Sequence, residues 1–300
     1  VKYLPKWLPG SGFLRLADDM NNLLHDATER PYQLVKRRMQ EGKQPTSFLS
    51  EALKDTGNSS HLENIYKWSA SSMYFGGADT TVSSLMTFFL AMVVFPDVQR
   101  KAQEELDRVI GGERLPVTTD LEKLPYIEAV LKETHRWWPV APMGLPHRST
   151  EDDEILGYRL PKGTTFLPNN WWFTHDPSVY PKPMEFIPER FLATKTHAAE
   201  TDPRTWTFGY GRRVCPGRYV ADNALFITIA QTLATFNISK AVENGKVVEP
   251  EVKFESGVVS HPKPFKASIV PRSEKHAALV RRMEQEYPWE KSDAEALKSL

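Results

Sequence analysis

Apolar residues first recur at helical spacing over residues 13–42, FLRLADDMNNLLHDATERPYQLVKRRMQEG, which predicts a helix interrupted near Pro31 and ended by Gly42. A shorter helix is expected over 46–55. From about 61 to 95 the pattern reads as one long helix, polar at first and then apolar nearly all round, so its second half should be buried on most sides. Residues 97–110 carry a cleaner apolar stripe that stops at Gly111-Gly112, and a further helix over roughly 120–137 ends before Pro139.

After that the texture changes. EILGYRLPKGTTFLPNNWW, residues 154–172, holds two short strand-like runs around a turn at Pro161-Lys162-Gly163. Prolines crowd 177–203 in an irregular stretch that is too rich in Trp, Phe and Tyr to be a linker. A helix resumes near Pro216 and runs to about 236, and alternating residues follow at 247–254 and 265–270. From 273 the chain is charged and reads as an exposed helical tail. No repeat or composition break marks a domain boundary, and the elements sum to a mainly α chain with small β-sheets.

Composition narrows the class. The 300 residues are 40% apolar and 25% charged, as in an ordinary globular chain able to bury a sizeable core. Basic and acidic residues balance at 38 each, so net charge gives no reason to expect nucleic acid or an anionic membrane as a partner. The longest apolar run, LMTFFLAMVVF at 85–95, is too short to span a bilayer, and no spanning segment is expected. The chain starts at Val1, and VKYLPKWLPGSGF lacks the order of a signal peptide, so it reads as a fragment. A single cysteine excludes an internal disulfide and favours a reducing environment.

That cysteine sits in TFGYGRRVCPGRYV, residues 207–220. Pro216 suits the first position of a helix and Gly217 offers an unobstructed N–H, so Cys215 is expected at a helix N-terminus, where the dipole stabilises a thiolate. The bland reading of a lone cysteine is a small buried hydrophobe. No HExxH, CxxC or P-loop is present, and GYGRRV has valine where a dinucleotide loop needs its third glycine. ETHR sets Glu133 and Arg136 at i and i+3, a spacing at which opposite charges pair, although a surface pair gives the same signal. In the long helix, the consecutive glycines of FGGADTT cost about 1 kcal/mol each relative to alanine, so a compensating use is expected, close approach of another helix being one. Asp79-Thr80 there also fit a kink held by side-chain to backbone bonds.

Phe208, Gly211, Arg213, Cys215 and Gly217 together spell FxxGxRxCxG, which resembles the cysteine loop of the cytochrome P-450 family, the haem-thiolate monooxygenases. ETHRWWP with Pro139, PERF with Arg190, and GGADTT at 76–81 resemble further signatures of that family, in its order. The resemblance covers nearly all of residues 1–270 and implies the C-terminal portion of the cytochrome P-450 fold: a haem-binding monooxygenase domain over 1–272, incomplete at its N-terminus, and an exposed charged tail over 273–300.

It also implies roles. The cofactor would be haem b, iron protoporphyrin IX, with Cys215 as the iron ligand, Phe208 packed beside it, and Arg213 and His147 on propionates. Gly77 would make room for dioxygen, Thr80 would hold it by hydrogen bonding, and Asp79 would help relay protons. Glu133, Arg136 and Arg190 would form a structural cluster behind the cysteine loop. A lipophilic substrate should meet Met73, Tyr74 and Ala78, the stretch from Val140 to Leu145, and Val258-Val259. The reaction would insert one oxygen atom from O2, with electrons from an NADPH-cytochrome reductase docking near Arg212 and Arg218, at the cytosolic face of the endoplasmic reticulum membrane. Relatives are longer and use their N-terminal part for a membrane anchor, a second propionate partner and much of the pocket roof, so this chain alone is expected to bind haem weakly, to be poorly soluble and not to turn over substrate. Two rival readings are a haem-thiolate isomerase, dehydratase or lyase that needs no reductase, and a haem-free fragment acting as a binding module.

Overall fold

In the computed structural model, which describes residues 4, 5, 7–57 and 59–300, the first helix runs straight through the proline expected to interrupt it. α1 spans Gly12–Gln40 with Pro31 inside it. Proline removes one backbone hydrogen bond, but the side chains around Pro31 are tied down. Thr28 Oγ1 lies 2.7 Å from Ser71 Oγ, Lys67 pairs with Glu29 at 2.8 Å, and Tyr32 and Lys36 both donate to Glu63. α2 (Phe48–Lys54) starts with a capping box in which Ser47 Oγ accepts from the Ser50 amide and Ser50 Oγ accepts from the Ser47 amide. With the first part of α3 (Ser60–Val94) and a short C-terminal helix, Ala294–Lys298, these elements make up one of two units, Val1–Gly76 with Trp289–Leu300.

The second unit, Gly77–Pro288, is built on the rest of α3. Phe88, Leu90, Ala91 and Met92 are fully buried in one core with residues of α4 (Pro96–Val109), α5 (Pro125–Trp137) and α8 (Arg218–Thr235), while the short α6 (Asn170–His175) and α7 (Arg204–Thr207) pack on α5. Leu106, Ile127, Leu131, Phe226 and Ile229 share this core, each worth roughly 1.5–3 kcal/mol relative to exposure. By length and composition α3 is apolar enough to cross a membrane, contrary to what the 85–95 run alone implied, but its buried residues face protein.

The helix expected over 120–137 is split in two. Pro125 disfavours a helical Leu124, which sits at φ −122° and ψ 61°, so a 3-10 turn, Thr118–Lys123, precedes α5. The first amides of α5 go to Glu105 of α4, whose carboxylate accepts from Tyr126 and Ile127 at 3.0 Å.

Four two-stranded antiparallel pairs complete the unit: β1 (His147–Arg148) with β4 (Thr165–Phe166), β2 (Asp153–Ile155) with β3 (Tyr158–Leu160), β5 (Phe236–Lys240) with β8 (Ala267–Pro271), and β6 (Val242–Glu243) with β7 (Lys246–Val247). β3 and β4 flank the expected turn at 161–163, where the Thr164 amide donates to Pro161 O at 3.1 Å, but they pair with other strands: β3 joins β2 through a tight turn at Leu156-Gly157, both at positive φ. α8 ends within a residue of the expected 236 and β5 follows at once, an element the sequence did not announce, and of the stretch 247–254 only Val247 lies in a named strand. Gln99 of α4 clamps β5, its amide group exchanging two 2.8 Å hydrogen bonds with the backbone of buried Ile238. The segment from 273 is not simply exposed: α9 (Glu274–Glu286) buries Ala277 and Leu279 while its charged residues face outward, because its apolar residues fall on one helical stripe.

Candidate functional site

The cysteine loop is shaped by two glycines. Gly209 at φ 81° and Gly211 at φ 54° adopt left-handed conformations that other residues rarely take. They allow the chain to fold back so that the Cys215 amide donates to the Phe208 carbonyl at 2.7 Å, with Arg213 N bonding Tyr210 O at 3.1 Å inside the loop. Cys215 is half-buried and forms no disulfide. α8 starts at Arg218 with Gly217 as its N-cap, so Pro216 lies just outside the helix rather than at its first position. Behind the loop, the Phe208 ring meets His135 of α5 edge-on at 5.2 Å, and His135 Nε2 lies 3.1 Å from Asp222. Asp222 also pairs with Arg204, which reaches Glu128 at 2.8 Å. Burial opposes the Arg204 charge, yet its hydrogen bonds to Asp202 and the nearby carboxylates hold its pKa above the ordinary value.

One layer further in, Glu133 accepts four hydrogen bonds: from Arg136 Nε at 2.6 Å and Nη2 at 2.8 Å, from Arg190 Nε at 3.3 Å, and from the Ile187 amide at 2.7 Å. Arg136 also donates to the carbonyls of Thr174, Pro183 and Glu185, and Arg190 to Pro181 O and Glu200. Glu133 and Arg136 are 0% exposed, which excludes the surface-pair reading. Burial pushes the Glu133 carboxyl upward against the pull of the two guanidinium groups. These bonds join α5 to the irregular 181–190 stretch and fix its path.

The signature in α3 is different. Gly77, Ala78 and Asp79 are exposed on a helix assigned without a break, and Thr80 is half-buried. Among the described residues, nothing lies within 4 Å of where a Gly77 side chain would begin, so close helix packing does not explain this glycine. Asp79 Oδ1 lies 3.0 Å from His261 Nε2.

The model of the family described as Cytochrome P450 matches residues 2–269. The chain belongs to the cytochrome P450 family. This P450 chain is 49% identical over 298 residues to cytochrome P450 monooxygenase claR of Ampulloclitocybe clavipes, covering 99% of this chain and 55% of that protein. It is 46% identical over 285 residues to cytochrome P450 monooxygenase 208 of Postia placenta, covering 95% and 56%. A solved zebrafish cytochrome P450, determined with abiraterone, aligns at a TM-score of 0.69 and 30% identity, covering 81% of this chain and 59% of that one. The P450 chain thus spans about half the length of the curated relatives it matches.

Of the residues singled out in the P450 motifs, Phe208, Arg213 and Cys215 share one loop, and Gly77, Asp79 and Thr80 share one turn of α3. Arg213 is exposed, without an ion pair among the described residues. His147 stands apart on β1, half-buried and paired in register with Phe166. Sequence reading missed Asn170, a fully buried residue that accepts from Tyr210 Oη at 2.6 Å and donates to Ala141 O at 3.0 Å. It thereby links the cysteine loop to the 140–145 turn, where Gly144 at φ 54° presses so closely on Pro168 that an added Cβ would stand 2.4 Å from its ring. Nothing in NNWW signals this link, because an asparagine acquires the role only through where its two partners fold.

Proposed function

We propose that the protein is a haem-thiolate monooxygenase that inserts one oxygen atom from O2 into a lipophilic organic substrate, with electrons from an NADPH-cytochrome reductase. The observation that carries this reading is the cysteine loop: a free thiol held half-buried by the bond between the Cys215 amide and the Phe208 carbonyl, in a chain of the P450 family. The donors suit haem b. A sulfur that ligates as thiolate serves the iron, and an exposed Arg213 and a half-buried His147 can serve the propionates. When bound, haem supplies the oxygen-activating chemistry, with thiolate ligation favouring O–O cleavage.

The rest is the work of the chain. The closed loop and the packing of Phe208 on His135 hold the Cys215 sulfur in place before any ligand arrives, so little ordering is left to binding. Gly77 keeps one face of α3 clear, and Thr80 beside it offers a hydroxyl that can accept and donate hydrogen bonds. Asp79, more than half exposed, takes protons from solvent and passes them toward Thr80. Met143, Leu145 and Val258, all exposed apolar side chains, are the surfaces offered to a lipophilic substrate. The basic residues Arg212 and Arg218 by the loop are where a reductase would dock, at the cytosolic face of the endoplasmic reticulum membrane.

The test is the reduced carbon monoxide spectrum of the haem-loaded, full-length protein and of Cys215→Ser. The parent should show the red-shifted Soret band of thiolate ligation, and the variant should lose it while keeping its helical circular dichroism. A variant that kept the band would remove Cys215 from the iron. Conversion of an already oxygenated substrate without NADPH would favour the isomerase, dehydratase or lyase reading.

A further inference from the structure

Residues 253–263 form a closed loop. Phe254 bridges Pro262, the Glu255 amide donates to His261 O at 2.8 Å, the Lys263 amide donates to Lys253 O at 2.8 Å, and Val258-Val259 stand at the tip. The base of the loop is locked at buried Ser260. Its amide donates to Val140 O at 2.8 Å, its carbonyl accepts from Ser83 Oγ at 2.7 Å, and its hydroxyl accepts from Trp138 Nε1 at 2.9 Å. The next residue, His261, reaches α3 as well, with Nε2 at 3.0 Å from Asp79 Oδ1. Asp79 and Ser83 are four residues apart on α3, so both anchors fall on one helix face. The Ser83 anchor is buried, whereas His261 and Asp79 are 25% and 58% exposed. A neutral ring makes this contact as its Nε2–H tautomer and a protonated ring makes it too, so the contact does not require a charged histidine.

We propose that His261 is a positioning residue for Asp79 and couples it to the loop carrying Val258 and Val259. The inference rests on the monooxygenase reading above, in which Asp79 hands protons toward Thr80. An exposed aspartate on a helix samples several rotamers, and one donor fixed to a rigid loop selects among them. Because the Glu255 amide holds the His261 carbonyl, a substrate that displaces the loop tip also shifts the His261 ring. A poorly fitting substrate is then met by a poorly held carboxylate.

The experiment uses the full-length, haem-loaded protein with His261→Leu, which removes the donor, and His261→Gln, whose amide N–H reaches about where Nε2 stands. The reduced carbon monoxide spectrum and haem content should match the parent in both. In a turnover assay with the reductase, His261→Leu should release about threefold more peroxide per NADPH, the scale of one lost, partly exposed hydrogen bond, and His261→Gln should return to the parent value. Without reductase, deuterium exchange of amides in 78–84 and 253–263 should rise by about the same factor in His261→Leu and be restored by His261→Gln. Parent-like peroxide release in His261→Leu overturns the proposal, and if exchange alone changes, His261 only stabilises the loop. Equal defects in Leu and Gln would also overturn it, since the donor would not be the cause. A parent protein without the thiolate spectrum would sink the monooxygenase reading instead, while the exchange measurement would still report on the His261–Asp79 contact.

Discussion

Glu133 and Asp79 are both carboxylates in signature segments of one chain, and their surroundings are opposite. Glu133 is fully buried, with four donors around it, and Asp79 is 58% exposed and meets the ring of His261. A buried charge is tolerated only when its partners are complete, so the Glu133 cluster is a fixed part of the scaffold. An exposed acid on a helix contributes little to folding, but it can exchange protons with water, which a buried one cannot do readily. Under the function proposed above, the difference separates a cluster that must hold still from an acid that must exchange protons.

The strongest way to break this comparison is Glu133→Ala. Arg136 and Arg190 would be left buried without their shared carboxylate, a loss of about 3–5 kcal/mol, a large part of a typical domain's stability. Chemical denaturation should show it, together with poor yield and low haem content. Asp79→Ala with an equal loss would collapse the distinction.

Next in size is the response to acid. His175 packs against Trp171 at 3.7 Å, and burial, aided by the Arg136 charge, lowers its pKa to about 4. The unfolded chain takes up this proton near 6.5, so stability is complete above that pH and is lost as pH falls toward 4, by up to about 3 kcal/mol. Melting temperatures between pH 7 and pH 4 should fall in the parent and fall less, relative to its own pH 7 value, in His175→Gln. Identical slopes would show that the histidine does not titrate with folding.

Asn170→Ala comes third. It strips the Tyr210 hydroxyl and the Ala141 carbonyl of a buried partner, for about 1–2 kcal/mol, and loosens the join between the cysteine loop and the 140–145 turn. A lower denaturation midpoint with an intact carbon monoxide spectrum is expected, and loss of the spectrum would make Asn170 essential to the loop itself. The smallest effect on stability should come from Thr80→Ala, about 1 kcal/mol or less, because the residue is only half-buried. Its effect should appear instead as more peroxide and less product per NADPH, and unchanged coupling would remove Thr80 from the mechanism.

The sequence by itself determined the helices with a clear apolar stripe and the identity of the cysteine loop, since periodicity and fixed spacings are local properties of the chain. α1, α3 and α4 end within about two residues of where the pattern placed them. Even Glu133-Arg136 was legible as a pair from i, i+3 spacing, although not as a buried one. Tertiary structure decided the rest. Whether Pro31 breaks α1 depends on side chains of α3 that hold both sides of it. β5 exists because β8 and Gln99 satisfy its backbone, and α9 turns one face inward because it has a surface to cover. The partnership of His261 with Asp79, and of Asn170 with Tyr210, joins residues far apart in the chain. A hydrogen bond of that kind leaves no local signature, because its partners are chosen by where the backbone goes and not by what stands nearby in sequence.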